Sequence, residues 1–321
     1  MKNTQKHSQY LDHGIFLIDA EYGDSGVAAI YLLEQDGEIA IIETGTNLSI
    51  PYVEQALLET GLSFNQVRYI IPTHVHLDHA GGAGELMQLC NNAKLICHPF
   101  GARHLIDPSK LEAGTIAVYG EDKFRQLYGT IRPIDADRVI EAPDNFSIDL
   151  NGRNLRFIDT PGHARHHFCV YDELSQGIFA GDTFGVSYPQ ITTKQGRFIF
   201  ATTTPVQFDP NALLNSISKL MSLSPQQMYL THYGTITPSP EIVEQLKQSI
   251  IVFKRIALEA EHTNNNRIEA IQNNIQQFLL KKLFEMGCEQ SAKFCSEQIK
   301  MDTLLNAQGL DVWLKRNKIN R

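Results

Sequence analysis

The amino-acid sequence predicts an α/β fold with an α-helical extension at its C-terminal end. Short apolar runs typical of buried strands alternate with helical periodicity through residues 1–240. After Pro240 the pattern changes to long amphipathic helices. The 321 residues, of which 42% are hydrophobic and 20% charged, have the composition of an ordinary globular protein. We therefore expect one domain over residues 1–240 and a helical extension over residues 241–321.

Eleven segments have the length and apolar content of strands, and turn or helix signals separate them. They cover residues 15–19, 27–34, 38–43, 68–72, 94–98, 137–141, 145–150, 154–159, 167–171, 177–180 and 227–231. Asp36-Gly37, between the second and third segments, predicts a hairpin turn. A helix is predicted from Pro51 to the residue before Gly61, and further helices over residues 79–91 and 210–222.

Two segments, residues 103–132 and 184–208, are longer than a simple connection requires. The first has helical character, and the second is rich in threonine. Together they carry the aromatic residues Tyr119, Phe124, Tyr128, Tyr188, Phe198, Phe200 and Phe208. Segments of this kind at strand ends often shape a substrate pocket, and ordinary packing is the alternative for each aromatic side chain.

The C-terminal extension repeats an apolar helical face. Apolar side chains recur at steps of three or four residues at Ile242, Leu246, Ile250, Phe253 and Ala257. The pattern returns at Ile268, Ile271, Ile275, Phe278 and Leu283. An apolar helical face is stable in water only when it is covered. We therefore expect the extension to cap a substrate site of the preceding domain, to form a homodimer, or to do both.

Composition and charge disfavour several classes of partner. The net charge of −8 disfavours nucleic acid and other polyphosphate ligands. No run of 18 apolar residues is present, and the polar start of the chain lacks the apolar core of a secretory signal. The five cysteines are odd in number and scattered, which is typical of reduced thiols. We expect a cytoplasmic protein with a small-molecule substrate, without nucleic-acid or membrane binding.

The strongest functional signal lies directly after a predicted strand. The sequence there is Thr73-His74-Val75-His76-Leu77-Asp78-His79, which places four metal-binding side chains within six residues. Small residues follow at positions 80–84, where a helix is expected to begin. Imidazole and carboxylate ligands suit zinc, iron, manganese or cobalt, and the lack of a nearby cysteine argues against a structural zinc site.

The H-x-H-x-D-H pattern resembles the signature of the metallo-β-lactamase-fold hydrolases. Three later motifs of that family follow in the family's order: Thr160-Pro161-Gly162-His163, Gly181-Asp182-Thr183 and Thr231-His232-Tyr233-Gly234. The resemblance covers residues 11–240. It implies a four-layer αββα sandwich with metals at the rim between the two sheets.

The resemblance also implies a site for two divalent metal ions. The implied ligands are His74, His76 and His163 for one ion, Asp78, His79 and His232 for the other, and Asp182 as the bridge between them. Zinc is the favoured metal, with iron or manganese as alternatives. Such a pair supplies a bridging hydroxide as the nucleophile, for which Asp78 and Asp182 are the expected catalytic carboxylates. Tyr233 is a candidate hydrogen-bond donor to a developing oxyanion.

One position departs from the family pattern. Glu43, in Ile41-Ile42-Glu43-Thr44-Gly45, stands where the family usually has an aspartate that supports the site without binding metal. The longer side chain is expected to change the geometry around the ligands. Arg165, His166 and His167 follow the ligand His163 closely. They are candidates for contact with ligands or substrate, with capping or packing as the alternative.

We expect a hydrolase of a small carboxylic ester, thioester or lactone. The full ligand set, the acidic charge and the aromatic segments favour this interpretation, and thioesterases of quinolone-type signalling are similar in architecture. A small-molecule phosphodiesterase and a metal-binding regulatory protein that acts through its helical extension are the alternatives. Redox chemistry is disfavoured, because flavodiiron reductases usually have glutamate at the position of His76 and sulfur dioxygenases lack part of the second ligand set.

Overall fold

The structure is a computed structural model that describes residues 7–203, 207–262 and 266–319. The chain divides into two compact units. The first comprises Met1–Asp159, His166–Gly181 and Thr231–Gly234, and the second comprises Thr160–Arg165, Asp182–Leu230 and Thr235–Arg321. A helix begins at Pro240 as expected, but residues 182–230 share the unit of the C-terminal helices. The domain boundary at residue 240 therefore stays a prediction.

A seven-stranded mixed sheet forms the centre of the first unit. Its strands, in spatial order, are β1 (Ser8–Asp12), β2 (Ile15–Asp19), β3 (Ala29–Gln35), β4 (Glu38–Ile42), β5 (Val67–Ile71), β6 (Lys94–Cys97) and β7 (Val139–Glu141). Strands β1 to β4 pair antiparallel and β4 to β7 pair parallel. The hairpin predicted at Asp36-Gly37 is confirmed, because both residues have the positive φ of a type I′ turn, 46° and 84°.

Strands β8 (Ser147–Leu150), β9 (Arg153–Asp159), β10 (Phe168–Asp172) and β11 (Gly177–Gly181) form an antiparallel meander in the first unit. They belong to a six-stranded sheet whose other members are β12 (Gln227–Leu230) and β13 (Gly234–Ile236). The meander faces the first sheet, since the ring centroids of Tyr31 and Phe179 are 5.2 Å apart. The predicted sandwich of two sheets with flanking helices is confirmed.

The first unit contains α1 (Ile50–Thr60), α2 (Leu77–Ala80), α3 (Ala83–Leu89), α4 (Pro99–Ile106), α5 (Ser109–Tyr119) and α6 (Glu121–Tyr128). Helices α1 and α3 bury their apolar faces with Ile30 and Leu32 of β3. The prediction of one helix over residues 79–91 is wrong, because the chain turns at Gly81-Gly82 between α2 and α3. A Cβ on Gly82 would lie 2.7 Å from the carbonyl oxygen of Thr44, so the backbone approach there requires glycine.

The second unit contains α7 (Pro210–Met221) and the C-terminal helices α8 (Pro240–Glu259), α9 (Arg267–Glu285), α10 (Ala292–Gln298) and α11 (Lys300–Ile319). The predicted helical extension is confirmed, and its apolar face on α8 is buried at Leu246, Ile250, Phe253 and Ala257. The Phe253 ring packs on Phe278 of α9, with centroids 6.2 Å apart. Among the described residues, no helix combines the length and apolar content that a membrane crossing needs.

A buried ion pair holds neighbouring strands of the meander together. The guanidinium of Arg153 on β9 donates to both carboxylate oxygens of Asp172 on β10, and neither side chain is exposed. Arg153 also donates from Nη1 to the carbonyl oxygen of His13 at 2.8 Å, and Asp172 accepts from the backbone N–H of Leu174 at 3.2 Å. Because both ions have several partners, the cost of burying them is offset.

All five cysteines are free thiols with buried side chains, as expected. Burial raises the pKa of Cys90 and the pKa of Cys97 to about 12. Cys90 directly follows α3 and Cys97 ends β6, and both side chains belong to the hydrophobic core of the first unit. They therefore stay protonated and unreactive in the folded chain at neutral pH.

Candidate metal centre

Three metal-binding side chains of the first unit converge. Asp78, His79 and His232 each offer one ligand atom, and these atoms lie within 4.8 Å of one another. The Nε2 atoms of His79 and His232 are 3.7 and 3.5 Å from Oδ2 of Asp78. Donor atoms arranged tetrahedrally at about 2.1 Å from a zinc ion would be roughly 3.4 Å apart. The spacing and the donor types therefore fit a single divalent cation.

Glu43 ties together the segments that carry these ligands. Its carboxylate, only 1% exposed, follows β4 and accepts from the backbone N–H of Thr73 at 3.0 Å and from the Thr73 hydroxyl at 2.6 Å. It also accepts from Nδ1–H of His79 and from the hydroxyl of Thr231, both at 2.9 Å. The expectation that Glu43 supports the ligands is confirmed.

Contacts of the Nδ1 atoms fix the orientation of both histidines. Nδ1 of His79 faces the Glu43 carboxylate, and Nδ1 of His232 lies 2.7 Å from the carbonyl oxygen of Val27. A carboxylate and a carbonyl only accept hydrogen bonds, so each neutral ring carries its proton on Nδ1. Each ring then presents the lone pair of Nε2 toward Asp78, which is the metal-binding form.

His74 and His76 form a second pair in the same unit. Nε2 of His74 and Nδ1 of His76 are 2.8 Å apart, and His74 is almost fully buried. Nδ1 of His74 lies 3.1 Å from the hydroxyl oxygen of Thr73. Since the Thr73 hydroxyl donates its proton to Glu43, it accepts from Nδ1–H of His74. Glu43 thus fixes the tautomer of His74 through one intermediate residue, which leaves the Nε2 lone pair to a metal.

A third pair lies in the second unit. Nε2 of His163 is 3.2 Å from Oδ2 of Asp182, and Nδ1 of His163 is 3.3 Å from the carbonyl oxygen of Thr202. Gly162, with φ of 139°, precedes His163, and a Cβ there would lie 2.3 Å from the backbone nitrogen of Leu213. The turn therefore requires glycine, and it aims the imidazole at the carboxylate.

All seven predicted ligands thus occur in converging groups. Asp78, His79 and His232 form one group, His74 lies with His76, and His163 lies with Asp182. The pairs His74–His76 and His163–Asp182 belong to different units. That both pairs bind one metal ion stays a prediction. Every donor is an imidazole or a carboxylate, which is the chemistry that zinc, iron or manganese accepts.

Tyr233 follows His232 but points its hydroxyl to a neighbouring loop. The hydroxyl donates to Oδ2 of Asp19 at 3.3 Å. The same oxygen accepts from the hydroxyl of Ser25 and from the backbone N–H of Gly26, both at 2.7 Å. Burial, then the charge of Asp19, raises the pKa of Tyr233, so the phenol stays protonated. Its role as an oxyanion donor stays a prediction.

The residues after His163 occupy different environments. The side chain of Arg165 is exposed, and its backbone N–H donates to Gln207 at 2.8 Å. His166 is buried in the first unit with its ring centroid 5.7 Å from that of His76, so it lines the His74–His76 pair. His167 is fully buried, its ring centroid lies 4.9 Å from that of His74, and a Cβ on Gly181 would lie 2.4 Å from its Nε2. His167 therefore packs between the candidate ligand His74 and the turn at Gly181.

Most aromatic residues of residues 184–208 serve packing. Phe198, Phe200 and Phe208 are buried, and the hydroxyl of Tyr188 donates to Asp302 at 2.8 Å. In the other long segment, Tyr119 lies beside Tyr128, and the Tyr128 hydroxyl hydrogen-bonds to Tyr22, which our interpretation of the sequence missed. Tyr22 lies in the loop after β2. Because β2, β4 and β5 run in the same direction, this loop lies at the edge of the sheet that carries Glu43 and Thr73.

Comparison with known proteins gives a consistent family. The sequence model of the metallo-beta-lactamase superfamily matches residues 23–232. The metallo-beta-lactamase fold-containing protein ST1585 of Sulfurisphaera tokodaii is 30% identical over 229 residues, which are 70% of this chain and 79% of the relative. The crystal structure of ST1585 matches with a TM-score of 0.59 and 28% identity, over 74% of this chain and 86% of that one.

Two further similarities bear on architecture and chemistry. The metallo-beta-lactamase family protein TTHA1429 of Thermus thermophilus has a TM-score of 0.63 and 22% identity, over 96% of this chain and 95% of that one. This likeness in fold extends into the C-terminal helices. The acyl-coenzyme A thioesterase MBLAC2 of Gallus gallus is 28% identical over 183 residues, which are 54% of this chain and 63% of that protein.

Proposed function

Because the chain belongs to the metallo-β-lactamase superfamily, we propose that it is a metal-dependent hydrolase whose substrate is a small thioester, carboxylic ester or lactone. The observation that carries the proposal is the prepared group Asp78, His79 and His232, whose imidazoles present Nε2 to one carboxylate oxygen. A histidine that serves packing alone has no need of this orientation.

We propose that two divalent cations bind. His74, His76 and His163 would hold one, Asp78, His79 and His232 would hold the other, and Asp182 would contact both. Zinc is favoured, with iron or manganese as alternatives, because each of these ions accepts mixed imidazole and carboxylate ligands. When bound, such a pair supplies a nucleophile from water at neutral pH and polarises the substrate's carbonyl group.

The chain's own residues prepare this chemistry. Glu43 keeps His79 protonated at Nδ1 and holds the Thr73 hydroxyl against His74, so both rings keep the tautomer that a cation needs. The Asp78 side chain is 23% exposed, more than His79 or His232, so it is the member of its group that meets solvent and substrate. We assign to Asp78 and Asp182 the orientation of the attacking water.

The choice of a thioester or ester rests on a relative and on charge. MBLAC2 of Gallus gallus is named an acyl-coenzyme A thioesterase, which supports chemistry at a thioester bond. The net charge of −8 argues against a leaving group with several phosphates. We therefore propose a substrate with a small leaving group rather than a polyphosphate carrier.

A substrate panel tests the proposal. Protein reconstituted with zinc, iron or manganese, with its metal content measured, would be given an acyl thioester, a p-nitrophenyl ester, a lactone and bis(p-nitrophenyl) phosphate. We expect metal-dependent hydrolysis of an acyl substrate, with the phosphodiester slower. The proposal is overturned if protein with two metals per chain leaves every acyl substrate intact or favours the phosphodiester.

Matched variants separate the site from the fold. Asp78→Asn and Asp182→Asn should lower acyl hydrolysis about 100-fold or more, because each removes a charged metal ligand. Asp149→Asn is the control, since Asp149 is exposed and only caps the turn at Gly152. The control should keep the wild-type rate. Equal rates in all three variants would remove the metal centre from the mechanism.

A further inference from the structure

Three tyrosines from separate segments form a hydroxyl cluster in the first unit, which we call the tyrosine cluster. Tyr22 lies in the loop after β2, Tyr119 ends α5 and Tyr128 ends α6. The hydroxyl oxygens of Tyr22 and Tyr128 are 2.8 Å apart. The ring of Tyr119 lies beside that of Tyr128, with ring centroids 6.2 Å apart. The cluster is thus a hydrogen-bonded pair of phenols, Tyr22 and Tyr128, with the phenol of Tyr119 next to it.

The cluster is joined to the candidate metal centre through Leu77. This residue stands between His76 and Asp78, and its side chain packs in one apolar cluster with Phe124 and Tyr128. Burial, and after it the negative charge of Asp78, raises the pKa of each of the three tyrosines. All three phenols therefore lie within electrostatic reach of a proposed ligand, and all three stay protonated.

The Tyr22–Tyr128 pair can donate one hydrogen bond to a further group. Its two hydroxyls carry two protons, and the hydrogen bond between them uses one. The other proton remains for a group outside the pair. Since the phenols are neutral, that group gains a hydrogen bond without a charge. An uncharged oxygen suits this donor better than a phosphate, which favours cations.

The surroundings of the cluster are apolar and partly exposed. Half-buried apolar side chains surround it at Leu111, Ile116, Leu127 and Ile131. Helices α5 and α6 carry three cations, of which Lys110 is exposed and the other two have neighbours. Nη1 of Arg125 is 2.7 Å from the Glu112 carboxylate, and the Lys123 ammonium lies 5.6 Å from the ring centroid of Tyr119. The half-buried apolar side chains, which we call the apolar wall, therefore lie beside neutral phenol donors.

We infer that the tyrosine cluster and the apolar side chains around it bind the acyl group of the substrate. One phenol donates to an oxygen of that group, and the apolar chain lies along α5 and α6. The inference names an uncharged, apolar acyl group as the substrate class, and it rests on the proposed function. The α5–α6 pair is then the determinant of acyl specificity.

An acyl-length series tests the apolar wall. For thioesters with two to eight acyl carbons, kcat/KM of the wild type should rise about fourfold per methylene while the chain stays on the wall. Ile116→Ser should flatten this rise. Leu58→Ser is the matched control, because Leu58 is 66% exposed on α1, and it should keep the rise. If kcat/KM of Ile116→Ser rises with acyl length as steeply as that of the wild type, the apolar wall does not bind the acyl chain.

Conservative tyrosine variants test the hydroxyls of the tyrosine cluster. Tyr22→Phe and Tyr119→Phe each keep the ring and remove one hydroxyl. At least one of them should raise KM about five- to tenfold while leaving the metal content at the wild-type value. Tyr10→Phe, at a residue 58% exposed on β1, is the control and should not change KM. Unchanged KM in both cluster variants overturns the hydroxyl role.

A binding measurement separates this inference from the proposed function. Octanamide, which has an acyl chain but no ester bond, would be titrated calorimetrically into the metal-loaded protein. We expect saturable binding that is stronger than that of acetamide and weaker in Ile116→Ser and in a cluster variant. If no ester is hydrolysed yet this pattern appears, only the proposed function fails. If esters are hydrolysed but the affinity for octanamide is the same in these variants as in the wild type, only the inferred acyl site is wrong.

Discussion

Replacement of Glu43 by glutamine should damage both stability and metal binding. In the wild type, Oε1 of Glu43 accepts from three donors, on Thr73, His79 and Thr231, and Oε2 accepts from the backbone N–H of Thr73. Glutamine keeps the shape of the side chain but replaces one oxygen by an NH2 group. Even in the better orientation, with its oxygen at the position of Oε1, the NH2 group faces the Thr73 N–H. Two hydrogen-bond donors then oppose each other in a buried site.

The magnitude follows from the buried contacts. A buried donor without its acceptor costs about 1–3 kcal/mol, and hydrogen bonds to a charged group contribute about 1.5–3 kcal/mol each. Because three of the four contacts persist in weaker form, we expect Glu43→Gln to lower the free energy of unfolding by roughly 2–4 kcal/mol. Loss of the carboxylate behind His79 should also lower metal affinity about 10- to 100-fold.

Two measurements check this prediction. Urea unfolding of metal-free protein gives the change in stability, and competition with a chromogenic chelator gives the change in metal affinity. Glu54→Gln is the control, because Glu54 is exposed on α1 and should shift stability by less than about 0.5 kcal/mol. Glu43→Asp keeps the charge on a shorter side chain. Its losses of stability and of metal affinity should lie between those of Glu43→Gln and Glu54→Gln. If Glu43→Gln matches the control in both measurements, the role given to Glu43 is wrong.

Three further substitutions or treatments test other parts of the structure. Arg153→Met should lower the free energy of unfolding, measured by urea denaturation, by about 3–5 kcal/mol, because Asp172 stays buried without its main partner. The double variant Arg153→Met/Asp172→Leu should recover much of this loss, because it removes the buried charge. Gly181→Ala should cost about 1–3 kcal/mol, since its Cβ would lie 2.4 Å from Nε2 of His167 and 2.5 Å from the hydroxyl of Thr73, whereas Gly114→Ala, with open space around it, should not destabilise. Cys90 and Cys97 should resist iodoacetamide in the folded protein at pH 8, read by mass spectrometry, because burial raises each thiol pKa from 9.0 to about 12. The unfolded thiols ionise first, so stability should fall as pH rises above 9.0, and rapid labelling of the folded protein at pH 8 would contradict the burial.

Local sequence patterns predicted the elements that local forces decide. The Asp36-Gly37 turn is an example, because its positive φ angles depend on those two residues alone. The stretch from His74 to His79 is another, because the end of one strand delivers it, whereas the later ligands were implied by the family resemblance. In contrast, β1 was not predicted: it is an edge strand with exposed residues such as Gln9 and Tyr10, and it lacks the apolar alternation that marks a half-buried strand.

Features that depend on distant contacts were not accessible to the same reasoning. The break between α2 and α3 follows from the close approach of Gly82 to Thr44, which no periodicity within the helix records. Tyr22, the member of the tyrosine cluster outside the long segments, lies in a loop without a motif. Its relevance becomes visible only when the strand directions place the ends of β2 and β4 at the same edge of the sheet.

The hydrogen bond between Glu43 and Thr231 can form only late in the synthesis of the chain. These two residues are 188 positions apart, and His232 follows directly. At a synthesis rate of about 5–20 residues per second, the ribosome needs roughly 10–40 s to pass from the first to the second. Once Asp78 and His79 have been made, they are present without His232 for the rest of that interval, and Glu43 lacks its Thr231 donor. At the proposed metal centre, an early cation would therefore meet an incomplete set of donors, and its full coordination would wait until the chain beyond His232 has left the ribosomal tunnel.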